Sequence, residues 1–141
     1  MITFIIGGMK SGKSGLALKE GENTGNRNLY YIATARAIDK EMEDRIERHK
    51  KERGSHWITI EEPVNLKEAI MKIPENSSIV IDCLTTWLTN LIVEVYDYQE
   101  YIDSFIDLLK KVRENFHILI VANEVGLGII PDSELGRKFI D

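Results

Sequence analysis

Gly7-Gly8-Met9-Lys10-Ser11-Gly12-Lys13-Ser14 fits the phosphate-loop pattern G-x-x-x-x-G-K-[ST]. The chemistry explains the spacing. Glycines let consecutive backbone N–H groups turn inward around an anion, Lys13 reaches the outer phosphates, and the Ser14 hydroxyl can hold Mg²⁺. The apolar run Ile2-Thr3-Phe4-Ile5-Ile6 leads into the loop, and the helix formers Leu16-Ala17-Leu18-Lys19-Glu20 follow it. A buried strand therefore delivers the loop, and a helix leaves it with its positive end toward the phosphate.

Working outward, the turn-rich stretch Gly21 to Asn28 separates that helix from Leu29-Tyr30-Tyr31-Ile32-Ala33, a second apolar strand. Strand, helix, strand is the parallel crossover unit, so the expected class is α/β. Thr34-Ala35-Arg36 falls at the carboxyl end of the second strand, where open α/β sheets bind ligands. Ser78-Ile79-Val80-Ile81-Asp82-Cys83 is a further apolar strand, and it closes on a carboxylate beside the phosphate loop, where an acid meets the Mg²⁺ shell. His117 to Ala122 delivers Asn123-Glu124 in the same geometric class.

Between these strands, Asp39 is the expected N-cap of a helix over 40–53, whose only apolar residues are Met42 and Ile46 with Ala and Leu absent. Met42, Ile46, His49 and Arg53 recur by four, three and four, which predicts an inward stripe that includes His49. Spacing leaves two readings of His49, a partly buried histidine bonded to backbone, or a nucleophile or phosphate ligand. Ser55 to Pro63 reads as a short strand, with His56 structural, and 64–73 as a helix. The apolar stretch 84–95 reads as a helix packed on the sheet or on another subunit, with Trp87 as core. The helix over 97–115 should turn Ile102, Phe105, Ile106, Leu109 and Val112 inward. Asp132-Ser133-Glu134 is expected to cap a last helix.

The 141 residues form one expected domain, 1–141, with 43% hydrophobic and 29% charged residues, the balance of an ordinary folded protein rather than a disordered one. A net charge of −5 disfavours nonspecific binding to nucleic acid or an anionic membrane surface. Cys83 is the single cysteine, which excludes an intramolecular disulfide and a cysteine-rich zinc site and suits a reducing cytoplasm. No apolar run is long enough for a bilayer span.

Read together, Gly7-Gly8-x-x-Ser11-Gly12-Lys13-Ser14, Ile32-Ala33-Thr34, Asp39-x-Glu41-Met42-x-x-Arg45-Ile46-x-x-His49, Trp57, Asp82-Cys83-Leu84-Thr85, Asn90-Leu91 and Asn123-Glu124-Val125-Gly126-x-Gly128-Ile129-x-Pro131 form a single signature. It resembles the bifunctional adenosylcobinamide kinase/adenosylcobinamide-phosphate guanylyltransferase family over nearly the whole chain. The segments around His49 and Asn123 are much more specific than the phosphate loop, which many unrelated families share.

The resemblance implies a P-loop NTPase-like, RecA-like fold, a mostly parallel sheet flanked by helices. It implies a cytoplasmic homo-oligomer, a trimer, in which the 84–95 stretch is a candidate subunit contact. The implied reactions are phosphorylation of adenosylcobinamide and transfer of GMP from GTP to adenosylcobinamide phosphate, with Mg²⁺ and with GTP or ATP as substrate. His49 matches the histidine that carries GMP. Nucleotide contacts map onto Gly7, Gly8, Met9, Lys10, Ser11, Gly12, Lys13, Ser14, Ile32, Ala33, Thr34, Lys50, Lys51, Glu52, Arg53, Glu61 and Asp82, with Ser14 and Asp82 at the metal. Lys10 stands where the family often has Arg, keeping the charge and losing bidentate geometry. The chain stops before the family's last helix and strand, so an incomplete C-terminal part and an uncovered sheet edge are expected. The rival readings are a phosphate-loop small-molecule kinase without a covalent step and a GTP-binding switch protein.

Overall fold

The computed structural model describes residues 1–8, 12–94 and 96–123. In chain order these form β1 (Ile2–Gly7), α1 (Lys13–Glu22), β2 (Asn28–Ala33), α2 (Lys40–Arg53), β3 (Trp57–Glu61), α3 (Leu66–Met71), β4 (Ser77–Asp82), α4 (Leu84–Val93), α5 (Tyr98–Val112) and β5 (Phe116–Asn123). Within the described residues the expected strands and helices are present, with ends shifted by a few residues. The helix expected over 64–73 is the shortest, because Pro63 and Pro74 confine it to Leu66–Met71.

The five strands form one parallel sheet in the order β1-β5-β4-β2-β3. Parallel sheets bury both faces, and the alternation along the central strands shows why near-continuous apolar runs are needed. Ile79 and Ile81 of β4 and Ile118 and Ile120 of β5 face the cluster made with α3, α4 and α5. Val80, Leu119 and Val121 face the opposite side, where Ala17 of α1, Tyr31, Trp57 and Cys83 pack. Gly21 lets α1 approach the sheet closely: a Cβ there would meet Trp57 Cη2 at 2.8 Å. Glu22, at the end of α1, accepts hydrogen bonds from Trp57 Nε1 at 3.0 Å and pairs with His56 Nε2 at 2.9 Å, which gives His56 the structural role expected of it.

Two expectations about packing change, those for His49 and Ile106, while Trp87 is core as expected. His49 is exposed rather than buried, although Met42 and Ile46 of the same stripe are half-buried and Arg53 is the one buried residue of α2. Ile106 of α5 is 43% exposed, and Leu108 takes the inward place beside Phe105 and Leu109, giving the i, i+3, i+4 spacing of one helical face. Trp87 is a core residue, 2% exposed, with its ring centroid 5.2 Å from that of Phe105 and Nε1 donating to the Val64 carbonyl at 2.7 Å. It is not available for a subunit contact, and α4 offers Val93 to solvent instead. β1 forms one edge of the sheet, with Phe4 and Ile6 exposed among the described residues. The expected helix from Asp132 and the completeness of the C-terminal part lie outside the described residues.

Trp87 fills the space between α4, α5 and the segment leading into α3. Trp87→Ala should therefore lower unfolding free energy by about 3–5 kcal/mol, read as a reduced urea midpoint with an unchanged slope. A loss below about 1 kcal/mol would show that the site collapses around the missing ring.

Candidate active site

Parallel register brings the carboxyl ends of all strands to one edge. Gly7 pairs with Asn123, Asp82 with Val121, and Ala33 with both Asp82 and Glu61. Gly12 adopts φ 84° as the N-cap of α1, a left-handed conformation that glycine reaches without steric cost. This turn puts Lys13 and Ser14 in the first turn of α1. Lys13 Nζ donates to the Gly8 carbonyl at 2.9 Å, so the ammonium lies against the phosphate loop.

The Ser14 hydroxyl donates to Asp82 Oδ2 at 2.8 Å, joining the loop to the end of β4. The buried Tyr31 hydroxyl donates to the same carboxylate oxygen. Burial, and then the Asp82 charge, push the Tyr31 phenol far above its ordinary range, so it holds its proton and acts as a donor. The Arg53 guanidinium carbon sits 3.7 Å from the Tyr31 ring centroid, a cation–π contact. Arg53 Nη2 donates to Thr59 Oγ1 of β3 at 3.1 Å, while its buried Nε has no hydrogen-bond partner among the described residues.

A second set of bonds fixes the backbone after Asp82, where the Asp82–Cys83 peptide bond is cis. Cys83 N–H donates to Thr34 Oγ1 at 2.9 Å, and that hydroxyl in turn donates to the Cys83 carbonyl at 2.9 Å. Asn90 Nδ2 bridges the carbonyls of Thr34 and Pro63 at 2.9 and 3.0 Å, and Asn123 N–H donates to Thr85 Oγ1 at 2.8 Å. Cys83 is buried, as expected, and accepts from Thr86 N–H at 3.3 Å as the N-cap of α4.

Ser14, Gly15, Leu18, Tyr31, His49, Glu52, Arg53 and Asp82 line one cavity of about 270 Å³. Five residues singled out from sequence as site residues on three separate elements, α1, α2 and β4, thus share a space: Ser14, His49, Glu52, Arg53 and Asp82. Ile32 is fully buried among the residues facing α3 to α5, so only its backbone is near this edge. Thr34 is also fully buried, with its hydroxyl engaged by the Cys83 backbone. Glu61 is exposed at the end of edge strand β3, and Lys50 and Lys51 are exposed on α2. Met9, Lys10, Ser11 and Glu124 lie outside the described residues.

Sequence reasoning missed Tyr31 and the bridging role of Asn90. Tyr31 reads as an ordinary β residue, and its one signal is period: two residues before Ala33, it shares the face of the sheet that α1 covers. Asn90 stood in the family signature, but a single amide in an apolar helix carries no indication of its partners.

Residues 3–141 match the family described as cobinamide kinase / cobinamide phosphate guanyltransferase. The chain is 39% identical over 144 residues to the bifunctional adenosylcobalamin biosynthesis protein CobP of Pseudomonas aeruginosa, covering all of this chain and 82% of that protein. It is 35% identical to the protein of the same description, CobU, from Escherichia coli and 34% identical to that of Salmonella typhimurium, in each case over all of this chain and 84% of the relative. No helix among the described residues is long and apolar enough to cross a membrane.

Thr34→Val keeps the shape and removes both bonds to Cys83, leaving a buried N–H unpaired. It should cost about 1–3 kcal/mol of stability, while Thr34→Ser, which retains the hydroxyl, should lose clearly less. Thermal melts of the two variants make the comparison, and equal losses would assign the effect to the methyl group instead.

Proposed function

The chain belongs to the cobinamide kinase / cobinamide phosphate guanyltransferase family, and from that premise we propose that it phosphorylates adenosylcobinamide and then transfers GMP to the product through His49. The kinase step moves the γ-phosphoryl group of ATP or GTP to the aminopropanol hydroxyl of adenosylcobinamide. In the second step a ring nitrogen of neutral His49 attacks the α-phosphorus of GTP, and the bond to the bridging oxygen breaks as pyrophosphate leaves. A phosphate oxygen of adenosylcobinamide phosphate then attacks the same phosphorus and expels the imidazole, giving adenosylcobinamide-GDP. Two displacements with a covalent intermediate replace one difficult step.

The observation that carries this reading is the shared cavity, which His49 lines together with the Ser14–Asp82 pair. Gly7, Gly8, Gly12 and Lys13 supply loop N–H groups and positive charge for the phosphates, as do Lys50 and Lys51 from α2. Ser14 and Asp82 are hard oxygen donors 2.8 Å apart, which fits Mg²⁺, a cation that takes few protein ligands and keeps water and phosphate for the rest. When bound, Mg²⁺ neutralises charge gathering on the departing phosphate oxygens. Ala33, Glu52, Arg53 and Glu61 complete the nucleotide contacts of this reading, with Ile32 and Thr34 contributing through backbone. The same reading makes the protein a cytoplasmic homo-oligomer, a trimer by resemblance.

GTP labelled at the α-phosphate tests the covalent step. Label should remain on denatured wild-type protein as an acid-labile, alkali-stable adduct, the behaviour of a phosphoramidate. His49→Ala should abolish it while leaving GTP binding within about threefold, since the loop and not the imidazole holds the nucleotide. Adduct formation by the variant, or its mapping to His56, would overturn the assignment. A kinase without a covalent step shows only γ-label on cobinamide, and a switch protein shows neither. Lys13→Ala should reduce both transfers by at least about 10²-fold in a steady-state assay, because it removes the charge at the outer phosphates; unchanged turnover would remove the basis of the reading.

A further inference from the structure

We propose that Tyr31 is a positioning residue of the phosphate site, its phenol holding Asp82 in the orientation that serves the cation accompanying the nucleotide. The proposal rests on the reading above that Ser14 and Asp82 hold Mg²⁺. Both hydroxyl donors converge on Asp82 Oδ2, that of Ser14 at 2.8 Å and that of Tyr31 from the neighbouring strand. Asp82 Oδ1 has no hydrogen bond from the described residues, so one carboxylate oxygen is committed to the protein and the other is available to a cation or its water.

An aspartate at the end of a strand has a broad terminal torsion and needs an external donor to fix it. Ser14 cannot do this alone, because it sits on α1 at the loop that must receive the nucleotide. Tyr31 lies on β2, in register beside β4, with its ring buried against the core. Arg53 holds the ring from above, at 3.7 Å, and is itself tied to Thr59 of β3. A cation over the ring face also draws electron density toward itself, which makes the phenol a better donor. Arg53 therefore acts on the carboxylate through Tyr31. Groups that orient a metal-binding carboxylate by hydrogen bonding commonly change metal affinity by 10- to 100-fold when removed.

Tyr31→Phe isolates the bond, since the ring stays under Arg53 and only the O–H is lost. GTP binding is measured by calorimetry across a Mg²⁺ series and in EDTA. The variant should need about tenfold more Mg²⁺ for half-maximal enhancement of GTP binding, while GTP binding in EDTA stays at the wild-type value. In an Asp82→Asn background the same change should have no further effect on the Mg²⁺ series, because its target is gone. A Tyr31→Phe curve that superimposes on wild type overturns the proposal and leaves the His49 chemistry standing. An equal shift with and without the Asp82 carboxylate also overturns it, by showing a general packing effect. Wild-type GTP binding that ignores Mg²⁺ overturns it together with the metal role of Asp82, whereas α-label on His49 judges the transfer reading separately.

Discussion

Parallel hydrogen bonding is the constraint on which the rest of the molecule depends. A strand that must run in the same direction as its neighbours returns by a crossover, so the connections are helices and both faces of the sheet are covered. The same rule gathers Gly7, Asn123, Asp82, Ala33 and Glu61 at one edge, although they are spread over more than a hundred positions of sequence. The interior can then be wholly apolar, with Ile79, Val80, Ile81 and Ile118 to Val121 each fully buried. The buried serine and threonine hydroxyls, Ser77 and Ser78 at the start of β4 and Thr34 just after β2, lie at strand ends.

At that edge most of the hydrogen bonding is spent on the protein itself. Thr34 and Asn90 hold the backbone after β2, β3 and β4, and Thr85 holds the end of β5. None of these groups needs to touch a substrate to matter. They fix carbonyls and N–H groups that would otherwise be free to turn, and so give Asp82 a rigid base. Preorganisation of this kind means that charge arriving with a nucleotide meets oriented dipoles rather than groups that must first be reordered.

The phosphate loop and the apolar strands were legible from sequence because their signals are local: glycine spacing, runs of β-branched residues, and a carboxylate closing a strand. Asp39 was legible as a cap for the same reason, and its carboxylate accepts from Met42 N–H at 2.8 Å. What could not be read was direction across the sheet. That Tyr31 and Ser14 meet on one oxygen of Asp82 depends on β2 lying next to β4, a pairing separated by about fifty residues of chain. Of the inward stripe assigned to α2, Met42 and Ile46 are half-buried and Arg53 is buried, and only His49 is exposed, for a related reason. Periodicity tells which residues share a face of a helix, but not whether that face is laid against anything along its full length.

Helix α2 is unusual among the helices in that so little of it is held by packing. Met42 and Ile46 are half-buried, Arg53 is buried, and the remaining residues face solvent. Exposed helical positions normally accept substitution with stability changes within about 0.5 kcal/mol. On this segment, then, intolerance to substitution carries unusually direct information. In β4 or β5 a damaging change reports on the core, whereas a damaging change at an exposed position of α2 that leaves the fold intact reports on chemistry. A survey of all substitutions along Lys40–Arg53 would thus draw the outline of whatever the helix touches during turnover, without any need to see it bound.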